Sequence, residues 1–255
     1  ITVSGNGGGL LINGDSTADG GGADTITFAS TLSGSTINAK GGKDVIDVAG
    51  VAGTGSKVLG NAGADVITVS GAIAGSANLI GGGSGNDTIT LSGSIAGENT
   101  VQGGGGADVI SVSGTVVSGQ IFGGAGADTI TVSGASEISF AALSESNLST
   151  MDVVSGVTTG ALGNGAIFTI SAVSNAVLTT GAIGGAGFSG LNTDGFIASA
   201  GAGGFETAGG LTARAALVDA QLTNAGETVI FQAGNKNYLF IAGGTSGTAD
   251  DLVAE

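Results

Sequence analysis

The 255-residue chain has no Cys, Pro, His or Trp, one Tyr and one Met. Without Cys and His there is no disulfide frame, no structural zinc site and no Cys–His or Ser–His nucleophile pair. Cations are scarce as well: five Lys and Arg face 20 Asp and Glu, for a net charge of −15. So acidic a chain cannot collect phosphates, which makes nucleic acid a poor partner. No run of 18 apolar residues exists, so no membrane-spanning helix is expected. A mean hydropathy of +0.46 separates the chain from disordered, highly charged sequences. Its 54 glycines would suit a flexible linker only if they lacked a period.

They have one. Gly22-Ala23-Asp24-Thr25-Ile26-Thr27-Phe28 recurs as Gly42-Lys43-Asp44-Val45-Ile46-Asp47-Val48 and as Gly63-Ala64-Asp65-Val66-Ile67-Thr68-Val69. It returns from Gly85 to Leu91, from Gly106 to Val112 and from Gly126 to Val132. The aspartates Asp24, Asp44, Asp65, Asp87, Asp108 and Asp128 follow at steps of 20, 21, 22, 21 and 20 residues. Each unit carries a Gly-rich turn ending in Asp, then an alternating strand whose second and fourth residues are large and apolar. A second strand follows, with an apolar residue (Ile37, Val58, Ile80, Val101 or Ile121) just before the next turn. Period-two alternation of β-branched residues is the strand signal, and no helical spacing separates the strands.

Two short strands per unit predict a coil that stacks on itself, because one coil alone cannot bury its few apolar groups. The expected fold is all-β: a right-handed parallel β-roll or β-helix solenoid over residues 1–134, with 20–22 residues per coil. A mostly β capping and assembly region with one or two short helices is expected over residues 135–255. Ile1-Thr2-Val3-Ser4-Gly5 matches the middle of a unit, so the chain reads as part of a longer protein.

Stacking brings the six aspartates onto one edge about 5 Å apart, where neighbouring carboxylates repel by about 1 kcal/mol even in water. No column of Lys or Arg offsets them, since Lys40, Lys43 and Lys57 are isolated. Asx turns capping strand ends would account for Asp here without a metal, but not for Asp in every turn with no Asn or Ser. A ladder of unpartnered anions calls for a cation. Calcium fits best, because it accepts six to eight hard oxygens in loose geometry, whereas magnesium is stricter and soft metals lack ligands here.

Gly123-Gly124-Ala125-Gly126-Ala127-Asp128-Thr129-Ile130-Thr131 and Gly82-Gly83-Ser84-Gly85-Asn86-Asp87-Thr88-Ile89-Thr90 resemble the GGxGxDxUx nonapeptide of the RTX (repeats-in-toxin) family, as does Gly103-Gly104-Gly105-Gly106-Ala107-Asp108. Other turns depart from it: Asn61 takes the second place before Asp65, Asp19 the first before Asp24, and Ala39-Lys40 the leading pair before Asp44. The resemblance covers residues 1–134. It implies a β-roll, calcium between adjacent turns, one-step export and folding outside the cell. The expected calcium-site residues are the six turn aspartates and Asp19, together with Gly22, Gly63, Gly83, Gly85, Gly104, Gly106, Gly124 and Gly126, whose turns offer backbone carbonyls. A regular RTX coil has two nonapeptides and this one has one, so one calcium column is expected rather than two.

After Gly134 the beat stops. Leu211–Leu222 and, less regularly, Ala141–Val153 look helical, and 156–204 reads as short strands and loops. Thr228–Gln232 and Tyr238–Ile241 read as a hairpin. With the Asp-rich stretch from Thr248 to Val253, that hairpin resembles the tail of secreted RTX proteins, and suggests a chain that continues past Glu255 or ends near an export signal. With so few cations and aromatics, no catalytic set is expected. Asp152 and Asp194 are lone carboxylates.

The function expected is that of an extracellular, calcium-stiffened structural protein at the bacterial cell surface, assembling with itself into a layer or filament. Cell-surface polysaccharide is a further candidate partner. A secretion and folding module of a larger adhesin, toxin or hydrolase is one alternative. The outward Thr columns (Thr88 and Thr90, for example) raise ice or glycan binding as another.

Overall fold

The structure, a computed structural model, describes residues 1–5, 8–15, 21–134, 137–140, 146, 149–157, 167–170, 177–178, 210–220, 222, 227–233, 236–242 and 252–254. Two compact units are present: 1–139 with 154–169, and 140–153 with 170–255.

The first unit is a β-solenoid. Each coil contributes one strand to each of two eight-stranded sheets; in both, strand order follows chain order, and each neighbour is reached by a crossover through the other sheet. Sheet I begins with Thr2–Val3, Thr25–Ser33, Val45–Ala52, Val66–Val69, Thr88–Leu91, Val109–Val112 and Thr129–Gly134, paired in parallel. Sheet II begins with Leu11–Asn13, Thr36–Asn38, Lys57–Ala62, Leu79–Ser84, Thr100–Gly105, Gln120–Ala125 and Glu137–Phe140, also parallel.

The register is that of like on like. Ile26, Ile46, Ile67, Ile89, Ile110 and Ile130 form one file, each fully buried. Phe28, Val48, Val69, Leu91, Val112 and Val132 form the second. Ile37, Val58, Ile80, Val101 and Ile121 fill the core from sheet II. Burying each such side chain stabilises by about 1.5–3 kcal/mol, but only stacked coils exclude water from it.

A fourth apolar file lies at the bend after sheet I. Leu32, Val51, Ile73, Ile95 and Val116 are buried and paired coil to coil. The ladder also outlasts the repeat: Ile138 pairs with Ile121, Val153–Val157 adds to sheet I, and Ile167–Ile170 adds to sheet II. The coil therefore persists where its Gly-Asp turn no longer does.

The second unit holds a four-stranded sheet of Val177–Leu178, Glu227–Ala233, Lys236–Ile241 and Leu252–Ala254. The central pair is the expected antiparallel hairpin, and Leu252–Ala254 pairs antiparallel against it. The helix Gly210–Asp219 overlaps the helical stretch expected at Leu211–Leu222, starting one residue earlier and ending three earlier, and packs Ala215 and Val218 into a core with Val229, Phe231, Tyr238 and Phe240. Phe231 and Tyr238 stack at 5.7 Å. Over 141–153 the described residues are not helical: Ser149 and Thr150 form bends and Asp152 a bridge. Ser146 accounts for this conformation. Its hydroxyl donates to the Val253 carbonyl and accepts the Asp152 N–H, which fixes the segment against the last strand. Of 156–204, Ile167–Ile170 and Val177–Leu178 are strands as expected; most of the rest, with Asp194, lies outside the described residues.

A candidate metal centre: the aspartate corner and its amide counterpart

The Gly-rich turn joins sheet II to sheet I, and its glycines answer to stacking. At the fourth place of each turn, Gly42, Gly63, Gly85, Gly106 and Gly126 have φ between 118° and 140°, a region L side chains rarely adopt. A methyl on any of them would overlap the carbonyl oxygen of the coil before. The backbone there is saturated, since Gly63 N–H donates to Ser84 O and Gly85 N–H to Gly105 O. At the second place, Gly83, Gly104 and Gly124 are left-handed too, but Lys40 and Asn61 occupy it at φ 75°. Gly22 lies beside Asp15, whose Oδ1 would be 3.1 Å from an added methyl. Asp19 lies outside the described residues.

The aspartates point into the corner. Asp44, Asp65, Asp87, Asp108 and Asp128 are at most 1% exposed. Each Oδ1 accepts the backbone N–H of the Asp one coil earlier: Asp24 N–H to Asp44 at 2.7 Å, Asp44 to Asp65 at 2.8 Å, Asp65 to Asp87 at 2.8 Å, Asp87 to Asp108 at 2.7 Å, and Asp108 to Asp128 at 2.8 Å. One carboxylate oxygen of each thus belongs to the backbone ladder.

The other oxygen differs. Oδ2 of Asp24, Asp44, Asp65, Asp87 and Asp108 is buried without a hydrogen bond. In Asp24, Asp65, Asp87 and Asp108 it lies against a glycine at the start of the corner (Gly14, Gly60, Gly82 or Gly103), beside a carbonyl oxygen of the next coil. A methyl on Gly103 would sit 2.5 Å from Asp108 Oδ2 and 2.5 Å from Gly123 O. Gly14 has the same neighbours in Asp24 Oδ2 (2.5 Å) and Ala39 O (2.6 Å), and Gly60 and Gly82 repeat the arrangement. Two hard oxygens therefore face one small space in coil after coil. Ala39 holds this first place in the turn of Asp44 and already carries the methyl.

Burial is the main reason Asp44, Asp65, Asp87 and Asp108 resist ionisation. It raises Asp87 from 3.8 to about 6, against the lowering effect of the Asp65 N–H, with the charges of Asp108 and Asp65 adding to the rise. Asp65 and Asp108 are raised by burial in the same way. Asp44 is raised by burial, then by the charges of Asp65, Asp24 and Asp15.

At the opposite corner, ahead of sheet II, runs a file that the sequence reading missed. Ser35, Ser56, Asn78 and Asn99 are buried there. Asn78 Oδ1 accepts Ser56 N–H at 2.8 Å and Asn99 Oδ1 accepts Asn78 N–H at 3.1 Å. That is the aspartate corner's hydrogen bond made by an amide. Here the second side-chain atom is satisfied: Asn78 Nδ2 donates to Ala74 O and Gly53 O, and Asn99 Nδ2 to Ala96 O and Gly75 O. The signal was a polar residue just before each second strand, spaced 21, 22 and 21 residues apart.

Among the described residues no three carboxylates converge closely enough to make a metal site by themselves. A cation at the aspartate corner would draw on the orphaned Oδ2 atoms together with turn carbonyls, which is the hard-oxygen set calcium accepts. No known protein family, curated protein or solved structure matches the chain.

Proposed function

We propose that this chain is an extracellular structural protein, stabilised by calcium along its aspartate corner, that assembles with copies of itself into a layer or filament at the bacterial cell surface. The observation that carries the reading is the file of buried Oδ2 atoms with no donor, those of Asp24, Asp65, Asp87 and Asp108 each beside a carbonyl oxygen of the next coil. A buried anion without a partner is strongly unfavourable, and a bound cation removes that penalty. The amide corner supports the same reading, because the backbone bond alone needs no charge. Bound calcium would neutralise the file and tie successive coils together, and the glycines of Gly63, Gly85, Gly106 and Gly126 shape the turn around it. A stiff rod of identical coils is a natural building block for an open polymer.

The test is electron microscopy of the full chain in millimolar calcium and in chelator. Layers or filaments that form only with calcium are the expected result. A chain that binds calcium and gains β structure yet stays monomeric at high concentration would point to a secretion and folding module instead.

A further inference from the structure

The two flat faces of the solenoid have almost no charge, and what they have is complementary. Among the outward positions of sheet I from Thr25 to Thr131 the one charged residue is Asp47. Among those of sheet II from Thr36 to Phe122 the exposed charge is Lys57; Lys40, in register with Asn61, is half-buried and donates its Nζ to the Asp15 carbonyl. Asp47 and Lys57 are both exposed, and neither forms an ion pair with a described residue. They belong to the same coil at matching distances from the aspartate edge. Asp47 lies three residues after Asp44, and Lys57 three residues before Gly60, where the next turn begins. Around them the faces carry β-branched and apolar groups. Val45 and Val109 are 37% and 41% exposed on sheet I, and Leu79 and Phe122 are half-buried on sheet II.

A chain of net charge −15 repels its own copies at a distance, so copies can touch only where local charge is low and matched. Sheet I against sheet I offers Asp47 no opposite charge on the facing sheet, and sheet II against sheet II offers Lys57 none. Only sheet I against sheet II pairs opposite signs, and it does so with the coils level.

We propose that sheet I of one copy docks on sheet II of the next, with Asp47 against Lys57 fixing the register. Because the two surfaces differ, the contact is heterologous: repeated by translation it does not close and builds a sheet of side-by-side solenoids. This rests on the self-assembly reading above and names its contact. An exposed ion pair adds little affinity, so its role is register and the rejection of wrong faces.

The experiment compares the calcium-loaded full chain with Asp47→Lys, Lys57→Asp and the double exchange, by sedimentation and electron microscopy, with thermal melts to check folding. Each single reversal sets like charges together and is expected to raise the critical concentration for assembly on the order of tenfold. The double exchange restores the wild-type value. Asp47→Asn, which removes the charge without reversing it, falls between. Single reversals that assemble like the wild type, or a double exchange no better than either, would overturn the docking while leaving assembly intact. A wild-type chain that never assembles in calcium overturns both readings.

Discussion

The two corners of one coil perform the same backbone task with different chemistry. At both, a side-chain Oδ1 accepts the N–H of the coil before, at 2.7–2.8 Å for the aspartates and 2.8–3.1 Å for Asn78 and Asn99. The amide then spends its second atom on two carbonyls, whereas the carboxylate leaves Oδ2 of Asp24, Asp44, Asp65, Asp87 and Asp108 without a donor. The amide corner is complete as it stands. The aspartate corner accumulates buried charge that only a cation or protons can settle, and this difference makes it the candidate site.

The strongest way to probe the comparison is to disturb the stacking that both corners share. Gly85→Ala places a methyl on the Gly63 carbonyl at φ 118°, and Gly75→Ala does the same at the amide corner against Gly53. Each is expected to cost about 3 kcal/mol or more, with or without calcium, from steric overlap and backbone strain together. Gly105→Ala, where an added methyl meets nothing within 4 Å, should cost less than about 1 kcal/mol. Equal losses in denaturant titrations of Gly85→Ala and Gly105→Ala would contradict the stacking account.

The next effect comes from exchanging the chemistry of the corners. Asn99→Asp keeps an acceptor for Asn78 N–H but removes the donors to Ala96 and Gly75 and adds a buried charge. The expected destabilisation is about 2–3 kcal/mol at neutral pH. The reverse exchange, Asp87→Asn, keeps the acceptor for Asp65 N–H and removes a charge that has no donor. In chelator its melting temperature should equal or exceed that of the wild type, and its gain on adding calcium should shrink. A melting temperature well below wild type in chelator would mean that Oδ2 is not a liability in the free protein.

The smallest effect is the pH dependence of the metal-free chain. Asp87 titrates near 6 in the folded state and near 3.8 unfolded, so the folded state holds its proton more tightly. Without a cation, stability therefore rises as pH falls from about 7 through 6 towards 4, opposite to common acid denaturation. The shift expected is a few degrees in melting temperature. A melting temperature that falls steadily over that window would count against buried, unpartnered carboxyls.

Much of this was legible from the repeat. The three apolar files of the two sheets, the aspartate file and the recurring fourth glycine all repeat every 20–22 residues, since each coil must offer the same group to the next. The bend file of Leu32, Val51, Ile73, Ile95 and Val116 was not recognised, because a lone apolar residue among Ser, Ala and Gly has no alternation around it. The polar file changes from Ser (Ser35, Ser56) to Asn (Asn78, Asn99) along the chain, which hides its single role. The coil beyond Gly134 was missed for a different reason. The Gly-Asp turn marks the beat in the sequence, whereas the Ile121–Ile138 pairing needs only an apolar residue in register. Local pairing in the hairpin Glu227–Ala233 and Lys236–Ile241 made it readable from a few residues. The segment 141–153 misled because Ser146 binds it to the distant residue Val253.

The most direct measurement is a calcium titration of the full chain and of an Asp65→Asn, Asp87→Asn, Asp108→Asn variant, followed by calorimetry and by melting temperature in the same buffer. Saturable binding that raises the melting temperature of the wild type, with both responses lost or sharply reduced in the variant, is the predicted result. Equal melting temperatures in calcium and in chelator for the wild type, or undiminished binding by the variant, would contradict a cation-bound aspartate corner.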